Sequence, residues 1–184
     1  MQASFYSRIL LALVFFLAVM QSSAAAAPPL RVIIIRHAEK PDKGKNLSCQ
    51  GQNRAAALPA VLHQKFGKPD YTYVPAVSNG KKSGHLRMFQ TITPFATQYN
   101  LKVNSNYSVD AYGALAADIL QRSGTVLVVW EHSAIDNIAK ALGVKHPGKW
   151  AGDDFDTIWI ISYDKGKAVL QQDREGLYPS PNCK

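Results

Sequence analysis

Leu30-Arg31-Val32-Ile33-Ile34-Ile35-Arg36-His37 is the stretch on which the fold turns. Its β-branched run is too short for a typical helix and suits a strand buried on both faces, the mark of a central parallel strand. A second run of the same kind, Thr125-Val126-Leu127-Val128-Val129-Trp130, leads into Glu131-His132. Between the two lie a polar loop over 40–48, a helix over 50–66 with Ala55, Leu58, Val61, Leu62 and Phe66 at helical spacing, and a strand over 71–76. A Gly- and Lys-bearing loop over 79–83 follows, then a helix over 86–99 with Pro94 as a candidate kink, a short strand over 101–103 and an Ala-rich helix over 112–121 ended before Gly124. Beyond the second run come a helix over 135–142 stopped by Gly143, a surface loop over 146–154, and strands over 157–162 and 168–172 flanking Asp164-Lys165-Gly166-Lys167. Alternating buried strands and helices predict an α/β three-layer sandwich: a mainly parallel sheet flanked by helices, with a C-terminal antiparallel edge hairpin. Ligands of such sheets bind outside the carboxyl ends of the strands.

The chain has 184 residues, is 47% hydrophobic and 18% charged, and so excludes disorder and fibrous repeats. One main fold is expected, after an export signal over 1–27: Arg8 precedes an apolar run over 9–20 that closes in Ser22, Ser23 and four alanines, too short to span a membrane. The expectation is a secreted or periplasmic domain over 28–184 with no stable membrane span after cleavage. The formal charge of +8 falls by one when Arg8 leaves, so the basic balance belongs to the folded part and suits an anionic partner. Cys49 and Cys183 form an even pair in an exported chain, where disulfides persist. Their bridge would close a long loop and contribute on the order of 4 kcal/mol in the chain-entropy model.

Both apolar strands run into a histidine, His37 after Arg36 and His132 after Glu131. Neutral imidazole attacks phosphorus at neutral pH, and a neighbouring cation such as Arg36 keeps it deprotonated. Arg36-His37-Ala38-Glu39-Lys40 resembles the Arg-His-Gly signature of the histidine phosphatase superfamily, which includes phosphoglycerate mutases and histidine acid phosphatases, with Ala38 in place of the more frequent Gly. Leu47-Ser48-Cys49-Gln50-Gly51 with Arg54-Ala55 resembles that family's Leu-Thr-x-x-Gly helix opening. Arg87-Met88-Phe89-Gln90-Thr91 resembles its Arg-x-x-Gln-Thr helix start, and 126–132 its last core strand with the second histidine.

The resemblance implies that His37 becomes phosphorylated, that Arg36 and Arg87 grip the phosphoryl oxygens, and that His132 donates to one of them. Charge spread over those oxygens in phosphoryl transfer calls for positioned cations, and guanidiniums match their geometry where lysine offers a point charge. The leaving alkoxide needs a proton from a carboxylic acid. Glu131 is the first candidate and Asp110 the second, the latter in the segment where mutase-like members carry their acid; Glu39 is expected to orient neighbouring donors. Strand alternation points Glu131 away from the face His132 occupies unless the strand has already ended.

No metal site and no cofactor are expected. His132 and Asp136 share helical spacing, but an Asp near a helix start serves the terminus. Lys40, Lys43, Lys45, Lys81 and Lys82 read as solvated charges that steer anions, and His85 is near enough to Arg87 to line a pocket. The function expected is that of an exported phosphatase acting on a phosphorylated small molecule or an exposed envelope phosphate. Its alternative is a catalytically weak module binding phosphate or polyanion in the same pocket. Nucleic acid is not expected, because no aromatic-and-basic stacking pattern is present.

Overall fold

The computed structural model describes residues 27–77 and 84–183; the expected export signal, save Ala27, and the lysines at 81 and 82 lie outside the described residues. Six strands form one sheet in the order β3-β2-β4-β1-β5-β6. They are β1 (Arg31–Arg36), β2 (Tyr71–Tyr73), β3 (Val103–Asn104), β4 (Thr125–Trp130), β5 (Thr157–Asp164) and β6 (Lys167–Arg174). Four helices connect them: α1 (Cys49–Phe66), α2 (Leu86–Tyr99), α3 (Tyr112–Ile119) and α4 (His132–Ala141).

The two apolar runs pair with each other. β1 and β4 are parallel over six residues, from Arg31 opposite Thr125 to Arg36 opposite Trp130, so both strands end at one rim. Side chains alternate between faces. Val32 and Ile34 pack with Leu115 and Ile119 of α3 and Ile135 and Ile138 of α4. Ile33 and Ile35 pack with Leu58 and Leu62 of α1 and Met88, Ile92 and Phe95 of α2. All four β1 side chains are completely buried, and each such residue is worth about 1.5–3 kcal/mol of transfer free energy. The three-layer sandwich follows, with β2, β3 and β4 parallel and the β5–β6 hairpin antiparallel at the edge.

Several boundaries differ from the sequence expectation. β2 stops at Tyr73 because Val74 and Ala76 turn their N–H groups to the carbonyls of Asn104 and Tyr107. β3 begins at Val103, since Leu101 N–H closes the end of α2 on Ala96 O. The Ala-rich helix ends at Ile119 and continues only as turns through Arg122. α4 begins at His132, three residues earlier than periodicity indicates, because Glu131 is its N-cap residue and accepts from Ala134 N–H. The hairpin strands extend to Asp164 and Lys167, leaving a two-residue turn of Lys165 and Gly166, both at positive φ. α2 runs uninterrupted through Pro94 and α1 through Pro59.

The loop after β1 is tied to both helices that follow it. Ser48 caps α1 by accepting from Gly51 N–H, and its own N–H donates to Glu39 O at 3.0 Å. A side chain at Gly51 would place Cβ 2.2 Å from Glu39 O and 2.9 Å from Glu39 N, so the helix approaches the loop as only glycine allows. Cys49 and Cys183 are joined as a disulfide. Gly51→Ala is expected to cost about 1–3 kcal/mol, as forced overpacking does, with the loss read as a lower urea midpoint at unchanged slope.

Candidate active site

Arg36, the last residue of β1, is only 2% exposed. Because β5 runs antiparallel to β1, the loop leading into β5 sits at the rim where β1 ends. That loop receives the guanidinium: Nη1 donates to Gly152 O at 2.7 Å and Asp154 O at 3.2 Å, while the ring of Phe155 lies 3.9 Å from Cζ. Burial lowers the Arg36 pKa to about 10, against the opposing charges of Asp154, Asp153 and Glu39. The group stays a cation at neutral pH, and its buried Nε has no hydrogen-bond partner among the described residues.

His37 follows at the strand exit, where its N–H donates to Trp130 O at 3.0 Å. Its Nδ1 lies 2.7 Å from Ala38 O. A carbonyl only accepts, so Nδ1 carries the proton, and the neutral ring keeps its lone pair on Nε2. Burial pushes the ring pKa down to about 4; the Ala38 bond works against this, and the charges of Arg36, Arg87 and His132 work with it. The imidazole is therefore neutral throughout the physiological range.

Arg87, in the first turn of α2, hydrogen-bonds Gly44 O and Asn46 O, which fixes its guanidinium against the 44–46 loop. Two residues of the same motif tie that region together. Thr91 Oγ1 accepts from Ala38 N–H at 2.9 Å, and Gln90 bonds both Leu47 N–H and the Asn46 side chain. His37, Arg87, Lys45, Gly84, His85, Met88 and Glu131 line a cavity of about 230 Å³.

The strand ends at Trp130, so the alternation that would have turned Glu131 away no longer applies. The Glu131 carboxylate accepts from Ser133 Oγ at 2.9 Å and lies 3.6 Å from His85 Nδ1. His132 is not a wall of this cavity; like Arg36, it reaches His37 electrostatically from beside it. Its pKa is lowered by burial first and then by the charges of Arg36 and Lys40, and its buried Nδ1 has no partner among the described residues. Asp110 is exposed and does not line the cavity; its carboxyl is held down by the Ser108 hydroxyl bond. Asp136 pairs with Lys140 one turn along α4. Among the described residues no group of three or more His, Cys, Asp or Glu side chains is arranged to hold a metal ion.

The sequence reasoning left three contributors unassigned. Phe155 and the carbonyls of 151–154 hold Arg36 through a loop more than a hundred residues away, for which no local pattern gives a signal. Arg54, quoted only as part of a motif, is buried and grips Glu39 with Nε and Nη2 at 2.8–3.0 Å. Glu175 is buried against the same guanidinium.

A scan against protein-family models and a search of curated proteins gave no match. Solved structures do match, phosphatases and a phosphoglycerate mutase among them, and the likeness is one of fold. The protein histidine phosphatase SixA, in complex with tungstate, aligns with a TM-score of 0.59 at 16% identity over 79% of this chain and 97% of its own. A mycobacterial glucosyl-3-phosphoglycerate phosphatase with inorganic phosphate aligns at 0.55 and 14% identity, covering 78% of this chain and 95% of its own. Phosphoglycerate mutase from Bacillus anthracis aligns at 0.53 and 12% identity, covering 80% and 93%.

The His37 ring is expected to titrate with a midpoint of about 4 and to show the Nδ1–H tautomer at neutral pH by ¹⁵N NMR of the imidazole. Between the ordinary value of 6.5 and about 4 the unfolded chain binds a proton that the folded chain does not. Stability is therefore expected to fall as the pH drops through that window.

Proposed function

We propose that the protein is an exported, cofactor-independent phosphatase that hydrolyses phosphomonoesters through a phosphohistidine at His37. The observation that carries this is the buried neutral imidazole, protonated at Nδ1 by its bond to Ala38 O and sharing a cavity with Arg87 and Glu131. A nucleophile, a guanidinium and a carboxyl group in one small basic cavity are what displacement at a phosphate ester requires. The folds of the matched phosphatases support the same chemistry.

In the first step the Nε2 lone pair forms the N–P bond as the ester P–O bond breaks, and the departing alkoxide takes a proton from the Glu131 carboxyl. In the second, water attacks the phosphorus, Glu131 takes back the proton, and the N–P bond breaks to release inorganic phosphate and neutral His37. Arg87 supplies donors for the phosphoryl oxygens as their charge develops, and Arg36 and His132, beside the cavity, act on that charge through space. Glu131 is the better placed of the two carboxylates, because it lines the cavity and Asp110 does not. The substrate expected is a phosphate standing clear of its parent molecule, small metabolite or envelope component alike. The apolar N-terminal run and the disulfide support an exported location.

Purified protein is expected to release phosphate from an aryl phosphate in the presence of chelator, with kcat/KM falling on the acid side around a midpoint of about 4 as His37 protonates. His37→Ala should abolish turnover, and Arg87→Lys should lower kcat by about 100-fold, the scale of losing one preorganised donor. Glu131→Gln should be mild on aryl phosphates, whose leaving groups need no proton, and severe on alkyl phosphates, by about 100-fold or more; Asp110→Asn should leave both alone. An inert wild type that still binds phosphate would instead establish the binding module.

A further inference from the structure

Residues 175–183, after β6, return across the start of α1; Glu175 N–H donates to Asp156 O at 2.7 Å, and beyond it side chains hold the segment. Asn53 Nδ2 donates to Ser180 O and Asn182 O, and Cys183 is bonded to Cys49 one turn before it. Gly176 and Leu177 N–H groups donate to Asp156 Oδ1. Glu175, at the head of this strap, is 4% exposed and accepts from Arg54 Nη1 through Oε2, while its Oε1 has no partner among the described residues. Asp156 lies 3.6 Å from the same guanidinium.

On its other edge Arg54 holds both oxygens of Glu39. Glu39 is two residues beyond His37, and the Ala38–Glu39 peptide supplies the carbonyl that holds His37 Nδ1. Thr91 fixes Ala38 N–H and Ser48 N–H holds Glu39 O, so the Glu39 side chain is the further tie on this turn. As a source of stability the cluster is poor. Two buried carboxylates and a half-buried third around one guanidinium, with one oxygen unpaired, cost about as much in desolvation as they return, and burial drives Glu175 up to about 8. What such a cluster does supply is a single orientation.

We propose that Arg54 and Glu175 are positioning residues, and that the C-terminal strap latched by Cys49–Cys183 completes the catalytic site from behind by pinning Glu39 and with it the Ala38 carbonyl that orients His37. This rests on His37 being the nucleophile, as proposed above. Conservative and disruptive variants separate it from a purely structural role. Glu175→Gln keeps an oxygen for Arg54 and should stay close to wild type. Arg54→Lys cannot span Glu39 and Glu175 with a planar fork and should lower kcat by up to about 100-fold with KM little changed, as misorientation of a nucleophile does. Cys183→Ser should move kcat in the same direction by less.

The second readout is the His37 ring itself. ¹⁵N spectra of folded Arg54→Lys and Cys183→Ser should show a mixture of Nδ1–H and Nε2–H tautomers where wild type shows the former alone. An Arg54→Lys protein that is folded and keeps both kcat and the single tautomer overturns the proposal. Should Arg54→Lys fail to fold, Cys183→Ser, at an exposed position, decides in its place by the same two measurements. An inert wild type overturns the phosphatase reading instead, and the tautomer measurement still tests the clamp.

Discussion

Parallel pairing of β1 with β4 is the constraint from which the site follows. The register sets Arg36 opposite Trp130, so the residues immediately after each strand, His37 on one side and Glu131 with His132 on the other, emerge side by side. A shift of one residue would exchange the faces of every side chain in either strand and lose both the core and the site. The reversed direction of β5 adds the third element, because it brings the 151–156 loop to the same rim to receive Arg36. The site is thus assembled from strand exits rather than from any one segment of chain.

Its electrostatic character comes from crowding cations around an imidazole that is out of water. Burial alone disfavours a charged ring, and Arg36, Arg87 and His132 add to that, so the ring stays neutral and basic at Nε2. The cations themselves are restrained by neutral or acidic partners. Backbone carbonyls and a π face hold Arg36, carbonyls of the 44–46 loop hold Arg87, and two carboxylates hold Arg54. At Arg36 and Arg87 the positive charge is fixed in place without being cancelled, the condition for electrostatic stabilisation of a developing anion.

Much of this was legible in the amino-acid sequence, for identifiable reasons. β1 and β4 are strongly apolar and short, so their periodicity has one interpretation, and the histidines lie next to them in the chain. The Arg-x-x-Gln-Thr stretch was legible as a motif, and the structure supplies its meaning: Thr91 and Gln90 bond the two ends of the loop between β1 and α1. β2 and β3 were placed less well because they are two or three residues long and are bounded by tertiary hydrogen bonds. The start of α4 was set too late because its first turn, His132 and Ser133, carries polar groups of the site rather than core residues. Arg54 with Glu175 and Arg36 with Phe155 were out of reach, since each contact joins segments more than a hundred residues apart.

The Cys49–Cys183 bond has a topological consequence as well. Every element from α1 to β6 lies inside the covalent loop it closes, so a single backbone cut anywhere between those two cysteines leaves two pieces still tethered. A protease that nicks an exposed connection in such a chain does not release a fragment.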